Sequence, residues 1–439
     1  MLSAAGGRAG LRDAHLHLAE YGESLSLVDL SRCESVGACL ELVARASGSV
    51  PRGAWVRGAG LRIEGLRERR APSAKELDEA GGGRCVLLRS FDHHSVVVSA
   101  AALRAAGISR ASIDPPGGVI VRDAGGEPTG LLLEHACDAV WKAVPAPSEA
   151  EYLGHVRRAL GDLSGRGFVE AHDMFAREPL VRALLALEAR GELALSMTLY
   201  ATAEHFDAVR AACAGAKSER VRFGGLKMFA DGTLNSRTAL MLTDYADPLP
   251  GRPRGEALLS VDQIAAGFAR ALASGCGAAV HAIGDGAVRN VLDALERVGA
   301  QGGGGPKGGA FGPGREARIE HAQFVDEADV ARIFRLGAVV SPQPCHLLTD
   351  VEAIERRMPQ RAHRAFPMAD LEYEARGAEL DPASVIWLGS DAPVVPPEPG
   401  DNVQAAVHRC RAGDSRKIAP EQAIDEGLCW SMMRARLRG

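Results

Sequence analysis

The strongest constraint on the fold is a regular alternation of short apolar stretches and longer amphipathic stretches that begins at Ser148. Ser148 and Glu151 have the spacing of a capping box, which predicts a helix running to about Leu163. The apolar stretches are rich in Val, Ile and Leu, as buried parallel strands are. With an opening strand at residues 13–18, eight strands are predicted: the opening strand, Gly167–His172, Leu193–Tyr200, Val221–Phe229, Gly277–Ala282, Arg318–His321, Ala338–Ser341 and Val385–Asp391. Eight β-α units predict an α/β protein with a TIM (β/α)8 barrel, whose chemistry lies at the carboxyl ends of the strands.

The segment between the opening strand and this alternation has a different sequence pattern. Between residues 51 and 147, short strand-like pieces are divided by Gly- and Pro-containing turns, and only brief helices such as Val96–Ala106 intervene. We therefore expect an α+β insertion after the first strand. The predicted regions are 1–50, the first barrel strand and helix; 51–147, an inserted lobe over the barrel mouth; 148–412, the remaining β/α units; and 413–439, a C-terminal helical tail.

Length and composition are consistent with a barrel enzyme. A chain of 439 residues is within the range of an α/β barrel with insertions, and a net charge of −5 argues against nucleic acid as the main partner. Nine cysteines without C-x-x-C pairs indicate thiols in a reducing compartment. No signal peptide or membrane span is visible. We expect a cytoplasmic protein that does not act on membranes.

Two histidines stand two residues apart in the opening strand. Alternate side chains of a strand share a face, so His15 and His17 point into the same volume. Two neutral imidazoles are part of a divalent metal site, which needs about four ligands. By itself the pair is a weak signal, because two polar residues on a half-exposed strand give the same pattern.

Four further predicted strands carry Lys, His or Asp at the barrel mouth: Lys227, His281, His321 and Asp391. Each alone has an ordinary explanation, such as a hydrogen-bonded core histidine or a helix-capping aspartate. Their shared position in barrel register predicts one common site. His172 ends the second barrel strand without a ligand role that we can assign.

These residues resemble the amidohydrolase superfamily of metal-dependent hydrolases, specifically its YtcJ-like (amidohydrolase 3) branch. The resemblance covers nearly the whole chain and includes stretches outside the candidate ligands. They are 91–94, 102–103, 107–108, 126–130, 231–239, 341–344 and 389–394. Ser99 departs from the branch, which usually shows asparagine there. Members usually carry a flanking β-sandwich, which we expect to be largely missing because the H-x-H motif is reached by residue 15.

The resemblance implies one or two divalent metal ions, with zinc expected. The implied ligands are His15, His17, Lys227, His281, His321 and Asp391. A metal lowers the pKa of bound water to about 7, and Asp391 is expected to take the proton from the attacking water. His321, the second predicted catalytic residue, either binds a second metal or donates to the developing oxyanion.

Lys227 is the unusual member of this set. A protonated ammonium beside a dication is strongly unfavourable, so Lys227 must lose its charge or point away. In relatives, a lysine on this strand can be carboxylated and bridge two metals. A free amine that orients substrate is the open alternative.

The predicted function is hydrolysis of carbon–nitrogen bonds other than peptide bonds. A member acting on esters or another substrate class, or a non-catalytic or truncated metal-binding homologue, is the alternative. A small-molecule substrate is expected, and a homodimer is left open. Residues predicted to support the ligands or bind substrate, each with an alternative as a helix cap or surface ion pair, are His94, Asp173, Asp231, Arg237, Asp285 and Gln323.

Overall fold

A computed structural model describes residues 10–50, 53–90, 95–115, 117–301 and 311–435. Thirteen strands lie in this part of the chain. They are β1 (Leu11–Leu16), β2 (Val28–Asp29), β3 (Val56–Leu61), β4 (Val86–Ser90), β5 (Ser95–Val98), β6 (Gly118–Arg122), β7 (Pro128–Glu134), β8 (Phe168–Asp173), β9 (Ser196–Thr202), β10 (Val221–Phe229), β11 (Gly277–Ala282), β12 (Ala317–His321) and β13 (Val339–Ser341).

Sixteen α-helices lie in the same described residues. They are α1 (Leu18–Ser24), α2 (Val36–Ser49), α3 (Ala74–Ala80), α4 (Ala100–Ala105), α5 (Cys137–Ala143), α6 (Glu149–Gly165), α7 (Glu178–Ala189), α8 (Phe206–Ala216), α9 (Val261–Ala273), α10 (Asp285–Gln301), α11 (Glu327–Arg335), α12 (Leu347–Arg357), α13 (Met368–Gly377), α14 (Pro382–Val385), α15 (Pro399–Val403) and α16 (Glu426–Met432).

The helices of the β/α repeat begin where local sequence predicts. The side chain of Ser148 accepts from the backbone N–H of Glu151, and the Glu151 carboxylate accepts from the Ser148 backbone N–H, so the predicted capping box opens α6. Ser260 and Gln263 form the same reciprocal pair at α9. Each box satisfies N–H groups that a helix start leaves without partners.

The chain divides into two compact units. The first contains the chain up to Gly22 and from Tyr152 onward. The second runs from Glu23 to Glu151 and therefore includes the segment 51–147 together with α2. Each unit has its own sheet.

A parallel barrel sheet is the centre of the first unit. Its seven strands follow the order β1-β8-β9-β10-β11-β12-β13, and every pairing is parallel. Strand β11 is buried along all six residues, as a strand covered by helices outside and side chains inside must be. The predicted TIM-type barrel with an insertion after its first strand is confirmed.

The eighth barrel position, 386–392, is less regular than predicted. It bridges to β13 at Ile386 and to β1 at Ala392, and so closes the sheet. The sequence predicts a regular strand over Val385–Asp391. The backbone N–H groups of Ser390 and Asp391 instead both donate to the carbonyl of His15, at 3.2 and 2.7 Å. Two successive donors on one acceptor interrupt a parallel ladder, whose bonds are evenly spaced.

The second unit contains a six-stranded mixed sheet in the order β2-β3-β4-β5-β7-β6, which matches an α+β insertion. The predicted helix Val96–Ala106 is wrong in its first part. Ser95–Val98 is a strand paired antiparallel with β4 and β7, and helix α4 begins only at Ala100. Three consecutive valines favour a strand, and Ser99 caps the helix by accepting from the backbone N–H of Ala102.

All nine cysteines lie in the described residues, and they are free. In the described part of the chain, no helix combines the length and the apolar character needed to cross a membrane.

Candidate metal centre

Strand β1 and the eighth barrel segment bring three potential ligands together. The Nε2 atoms of His15 and His17 lie 3.3 and 3.0 Å from Oδ1 of Asp391. One ligand atom from each of the three residues lies within 4.8 Å of the others. The two imidazoles approach the same carboxylate because His17 lies two positions after His15, at the residue that directly follows β1. Closure of the barrel places Asp391 opposite them.

His281 and His321 complete a cluster of imidazoles. The ring centroids of His281 and His321 are 4.4 Å apart, and those of His15 and His321 are 4.8 Å apart. Nε2 of His281 lies 3.0 Å from the carbonyl oxygen of Gly232. A carbonyl only accepts hydrogen bonds, so Nε2 carries the proton and the lone pair of His281 is on Nδ1.

Lys227 is buried in the barrel interior with an exposed fraction of 2%. Its Nζ atom has no hydrogen-bond partner among the described residues and lies 5.1 Å from the ring centroid of Phe229. Burial lowers the pKa of Lys227 to about 8. A buried amine without a hydrogen-bond partner is energetically unfavourable. Lys227 therefore carries a polar group that the described residues leave unsatisfied.

The electrostatics favour neutral imidazoles at His15, His281 and His321. His17 differs, because burial alone would lower its pKa but the hydrogen bond and the charge of Asp391 raise it. Burial, followed by the charge of Lys227, lowers the pKa of His15 and of His281 to about 4. Burial also lowers the pKa of His321 well below its usual range. Burial would raise the pKa of Asp391, but nearby His15 and the hydrogen bond from His17 hold it well below its ordinary value. Neutral nitrogen donors and an ionised oxygen donor are the states that a metal requires.

The donor set fits a divalent metal ion in chemistry and in size. Ligands about 2.1 Å from a common ion are separated from each other by about 3.0 Å in an octahedron and about 3.4 Å in a tetrahedron. The separations of 3.0 and 3.3 Å between Asp391 Oδ1 and the two imidazole nitrogens fall in this range. These two separations are those expected between ligands of one ion, and the three candidate ligand atoms all lie within 4.8 Å of one another.

Two of the predicted supporting residues contact elements that carry candidate ligands. Asp231 accepts from the backbone N–H groups of Leu240, Ile283 and Gly284, and its Oδ1 lies 3.6 Å from Nε2 of His281. Burial raises the pKa of Asp231 to about 7.

Asp173 contacts the backbone immediately after His17, where α1 begins. Its carboxylate accepts from the backbone N–H groups of Leu18 and Phe175, at 2.7 and 2.9 Å. Asp231 and Asp173 thus each bind backbone close to a histidine that is a candidate metal ligand.

The other supporting candidates contact the chain segments that follow β10 and β13. Asp285 accepts from the backbone N–H of Leu242 at 2.7 Å and pairs with Arg361. Gln323 donates to Asp350 at 3.0 Å, and Arg237 donates to the backbone carbonyl of Asp247 at 3.2 Å. Their roles in binding substrate stay predictions. His94 lies outside the described residues.

Sequence reasoning missed His346. Its Nε2 atom lies 3.1 Å from the carbonyl oxygen of Ser390 and 4.0 Å from Oδ2 of Asp391, and its ring centroid is 6.3 Å from that of His321. Its position was the available signal, because His346 closely follows the seventh barrel strand, where residues of the barrel mouth are expected.

Glu320 and Arg318 were also missed. Both side chains are fully buried, and Oε2 of Glu320 lies 2.7 Å from Nδ1 of His15. The available signal was a pair of opposite charges, two positions apart, within a strand that the sequence predicts to be buried. Its partner on β1 could not be read from local sequence.

Comparison with known proteins agrees with this geometry. The profile described as "Amidohydrolase family" matches residues 8–435. YtcJ of Bacillus subtilis (strain 168), whose name places it among amidohydrolases, is 31% identical over 416 residues, covering 91% of this chain and 73% of YtcJ. N-substituted formamide deformylase of Arthrobacter pascens is 25% identical over 437 residues, covering 95% and 77%. The crystal structure of an uncharacterized metal-dependent hydrolase from Pyrococcus horikoshii OT3 superposes with a TM-score of 0.75 at 25% identity, covering 96% of this chain and 78% of that one.

Proposed function

The chain belongs to the amidohydrolase family, and from this premise we propose that it is a metal-dependent hydrolase of carbon–nitrogen bonds outside peptides, such as those of amides. The observation that carries the proposal is the convergence of His15, His17 and Asp391, whose ligand atoms lie within 4.8 Å of one another. His281 and His321 lie beside them as neutral imidazoles.

We propose zinc as the metal, held by His15, His17, His281 and Asp391. A bound ion of this kind supplies a nucleophilic water at neutral pH and polarises the scissile group. Lys227, if carboxylated, would add anionic oxygen for a second ion, with His321 as a further ligand. The buried amine without a hydrogen-bond partner among the described residues supports this assignment, because carboxylation needs a neutral amine.

Asp391 is the proposed general base. Its Oδ1 atom faces His15 and His17, whereas Oδ2 lies 4.0 Å from His346, so the two oxygens have different surroundings. Oδ2 can therefore accept the proton of the attacking water while Oδ1 remains directed to the ligand cluster. His321, neutral because its pKa is low, can donate a hydrogen bond to the developing oxyanion.

Two aromatic rings beside the cluster indicate an apolar group on the substrate. The ring centroids of Phe175 and Phe229 are 6.4 Å apart, and these rings lie 6.3 Å from His17 and 5.5 Å from His281, respectively. Both phenylalanines are partly exposed. The similar protein N-substituted formamide deformylase is named for formamides that carry a substituent on nitrogen. N-alkyl and N-aryl formamides, with the matching formate esters, are therefore the first compounds to assay. Amide turnover above ester turnover is the expected result.

The decisive variant is Asp391→Asn. The amide keeps the shape and a weak oxygen ligand but cannot take the proton, so we expect turnover to fall at least about 10²-fold with much of the zinc retained. Turnover and metal content are measured on the same preparation. Asp425→Asn is the matched control, because it makes the same chemical change at the exposed cap of α16, where asparagine also caps well. Near-normal activity of Asp391→Asn would transfer the base role to His321.

The remaining predictions concern setting and partners. We propose a small-molecule substrate, a cytoplasmic location and no nucleic-acid or membrane partner. The homodimer stays an open prediction.

A further inference from the structure

A buried carboxylate contacts His15, the candidate ligand on β1, at the ring nitrogen that does not face Asp391. Oε2 of Glu320 lies 2.7 Å from Nδ1 of His15, on the side of the ring away from Asp391. Glu320 is ion-paired with the guanidinium of Arg318, and an ionised carboxylate accepts hydrogen bonds but cannot donate them. Nδ1 therefore carries the proton, and the lone pair of His15 is on Nε2, which faces Asp391.

Arg318 holds this carboxylate in place. Its Nε lies 2.8 Å from Oε1 of Glu320, and its Nη2 donates to the backbone carbonyl of Ala14 at 2.7 Å and to Ser341 Oγ at 3.1 Å. Its Nη1 lies 2.7 Å from Nδ1 of His172. The guanidinium is thus fixed to β1, β8 and β13 at once, so the position of Glu320 is set by the barrel wall.

Fold stability alone is a weak explanation for this pair. Removing two charges from water costs several kcal/mol per ion, and apolar residues of similar volume often stabilise a fold as well or better. Both members of the Arg318–Glu320 pair are fully buried. By contrast, the buried carboxylate of Asp329 pairs with two partly exposed arginines, and these contacts lie on helices α10 and α11. The Arg318–Glu320 pair instead contacts His15, a candidate metal ligand.

We propose that Glu320, anchored by Arg318, is a positioning residue that fixes the tautomer and orientation of His15 and makes it a stronger metal ligand. The inference rests on the proposed metal site. Carboxylates that accept from the second ring nitrogen of a ligating histidine raise its basicity, and their loss costs about 10–100-fold in metal affinity.

The test uses Glu320→Asp in the full chain. Aspartate keeps the negative charge beside Arg318 but is one methylene shorter, so the 2.7 Å contact with His15 is lost. We expect zinc affinity, measured by competition with a chromogenic chelator, to fall about 10–100-fold. The visible absorption of the cobalt-loaded chain should change, because His15 becomes free to rotate. Asp329→Asn, which disrupts a buried ion pair elsewhere, should keep both the zinc affinity and the cobalt spectrum.

Glu320→Gln is the second variant, because it keeps the reach and removes the charge. It should also lower zinc affinity. The proposal therefore remains testable if the aspartate variant does not fold. Wild-type zinc affinity and an unchanged cobalt spectrum in either folded variant would show that the pair only stabilises the barrel. Failure of the wild-type chain to bind zinc or cobalt would instead overturn the proposed function, and the inference with it.

Discussion

At His321 and Asp391 the backbone leaves the strand conformation, with φ of 70° and 61°. Left-handed φ in residues other than glycine costs about 1–3 kcal/mol and persists where the surrounding structure enforces it. The consequence at β12 is specific. Adjacent strand residues normally face opposite sides, yet Glu320 and His321 both reach His15, one by its carboxylate and one by its ring. The turn in the backbone lets neighbouring residues serve the same site.

Lys227 decides between one metal ion and two. Lys227→Ala would remove the proposed bridging carbamate, and a short carboxylic acid could occupy the space and replace its oxygens. We expect the variant to lose one metal equivalent and most activity, and added acetate or propionate to restore part of both. Metal content by elemental analysis and turnover are the measurements.

Lys227→Met is the matched control for this rescue. Methionine fills the space of the lysine stem, so added carboxylic acids should have no effect. One metal per chain in the wild type and in Lys227→Ala, without rescue, would make the site mononuclear and leave Lys227 as a free amine.

At the scale of elements, one carboxylate joins β1 to the eighth barrel segment. Oδ1 of Asp13 accepts from the backbone N–H groups of His15 and Ser390, both at 3.1 Å, and Oδ2 accepts from Ser390 Oγ at 2.6 Å. Ser390 Oγ in turn accepts from the backbone N–H of Ala392. These bonds hold the residue before Asp391 against the strand that carries His15, where a regular ladder is absent.

Ser390→Ala tests this connection. The variant leaves an oxygen of Asp13 and the N–H of Ala392 without their partner, so we expect a loss of about 1–3 kcal/mol in the free energy of unfolding. Zinc affinity should fall as well, because Asp391 is the next residue. Urea unfolding and chelator competition measure the two effects.

Ser260→Ala is the control at this scale. It removes a serine hydrogen bond at the start of α9 and should cost about 1 kcal/mol while zinc affinity is unchanged. Unchanged zinc affinity in Ser390→Ala would mean that the Asp13 contact stabilises the barrel only.

At the scale of the whole molecule, the candidate ligands join distant parts of the chain. His15 and His17 lie on or immediately after β1, His281 and His321 are on neighbouring strands β11 and β12, and Asp391 is on the closing segment. An ion bound by these groups would link the first and last barrel positions. The position of the lobe 51–147 over the barrel mouth stays a prediction from the sequence.

Metal removal should therefore destabilise the barrel. A ligand that binds only the folded chain stabilises it by about 2.7 kcal/mol at 100 times its dissociation constant. We expect chelator-treated protein to unfold at a lower temperature and at lower urea concentration than protein reloaded with zinc. His17→Ala, which removes one ligand from a partly exposed position, should show a smaller difference between the two states. Identical unfolding of stripped and reloaded wild type would contradict a metal site that spans the barrel.

Much of the barrel was predictable from sequence because its signals are local. The predicted strands Val221–Phe229 and Gly277–Ala282 agree with β10 and β11 at both ends. The capping boxes at Ser148 and Ser260 depend on residues three positions apart. The candidate ligands could be grouped because parallel strands present their carboxyl ends at one mouth, so strand order alone brings those positions near one another.

The rest depended on contacts between residues far apart in sequence. Val96 to Val98 became a strand because β4 and β7 lie on either side. The irregular eighth position follows from bonds between Ser390 and β1. Glu320 became a partner of His15 only when the closed barrel brought β12 and β1 to face each other across its interior. Sequence determined which side chains stand at the mouth of the barrel, whereas tertiary structure decided which of their atoms meet, because hydrogen-bond geometry is set by backbone positions that no local pattern specifies.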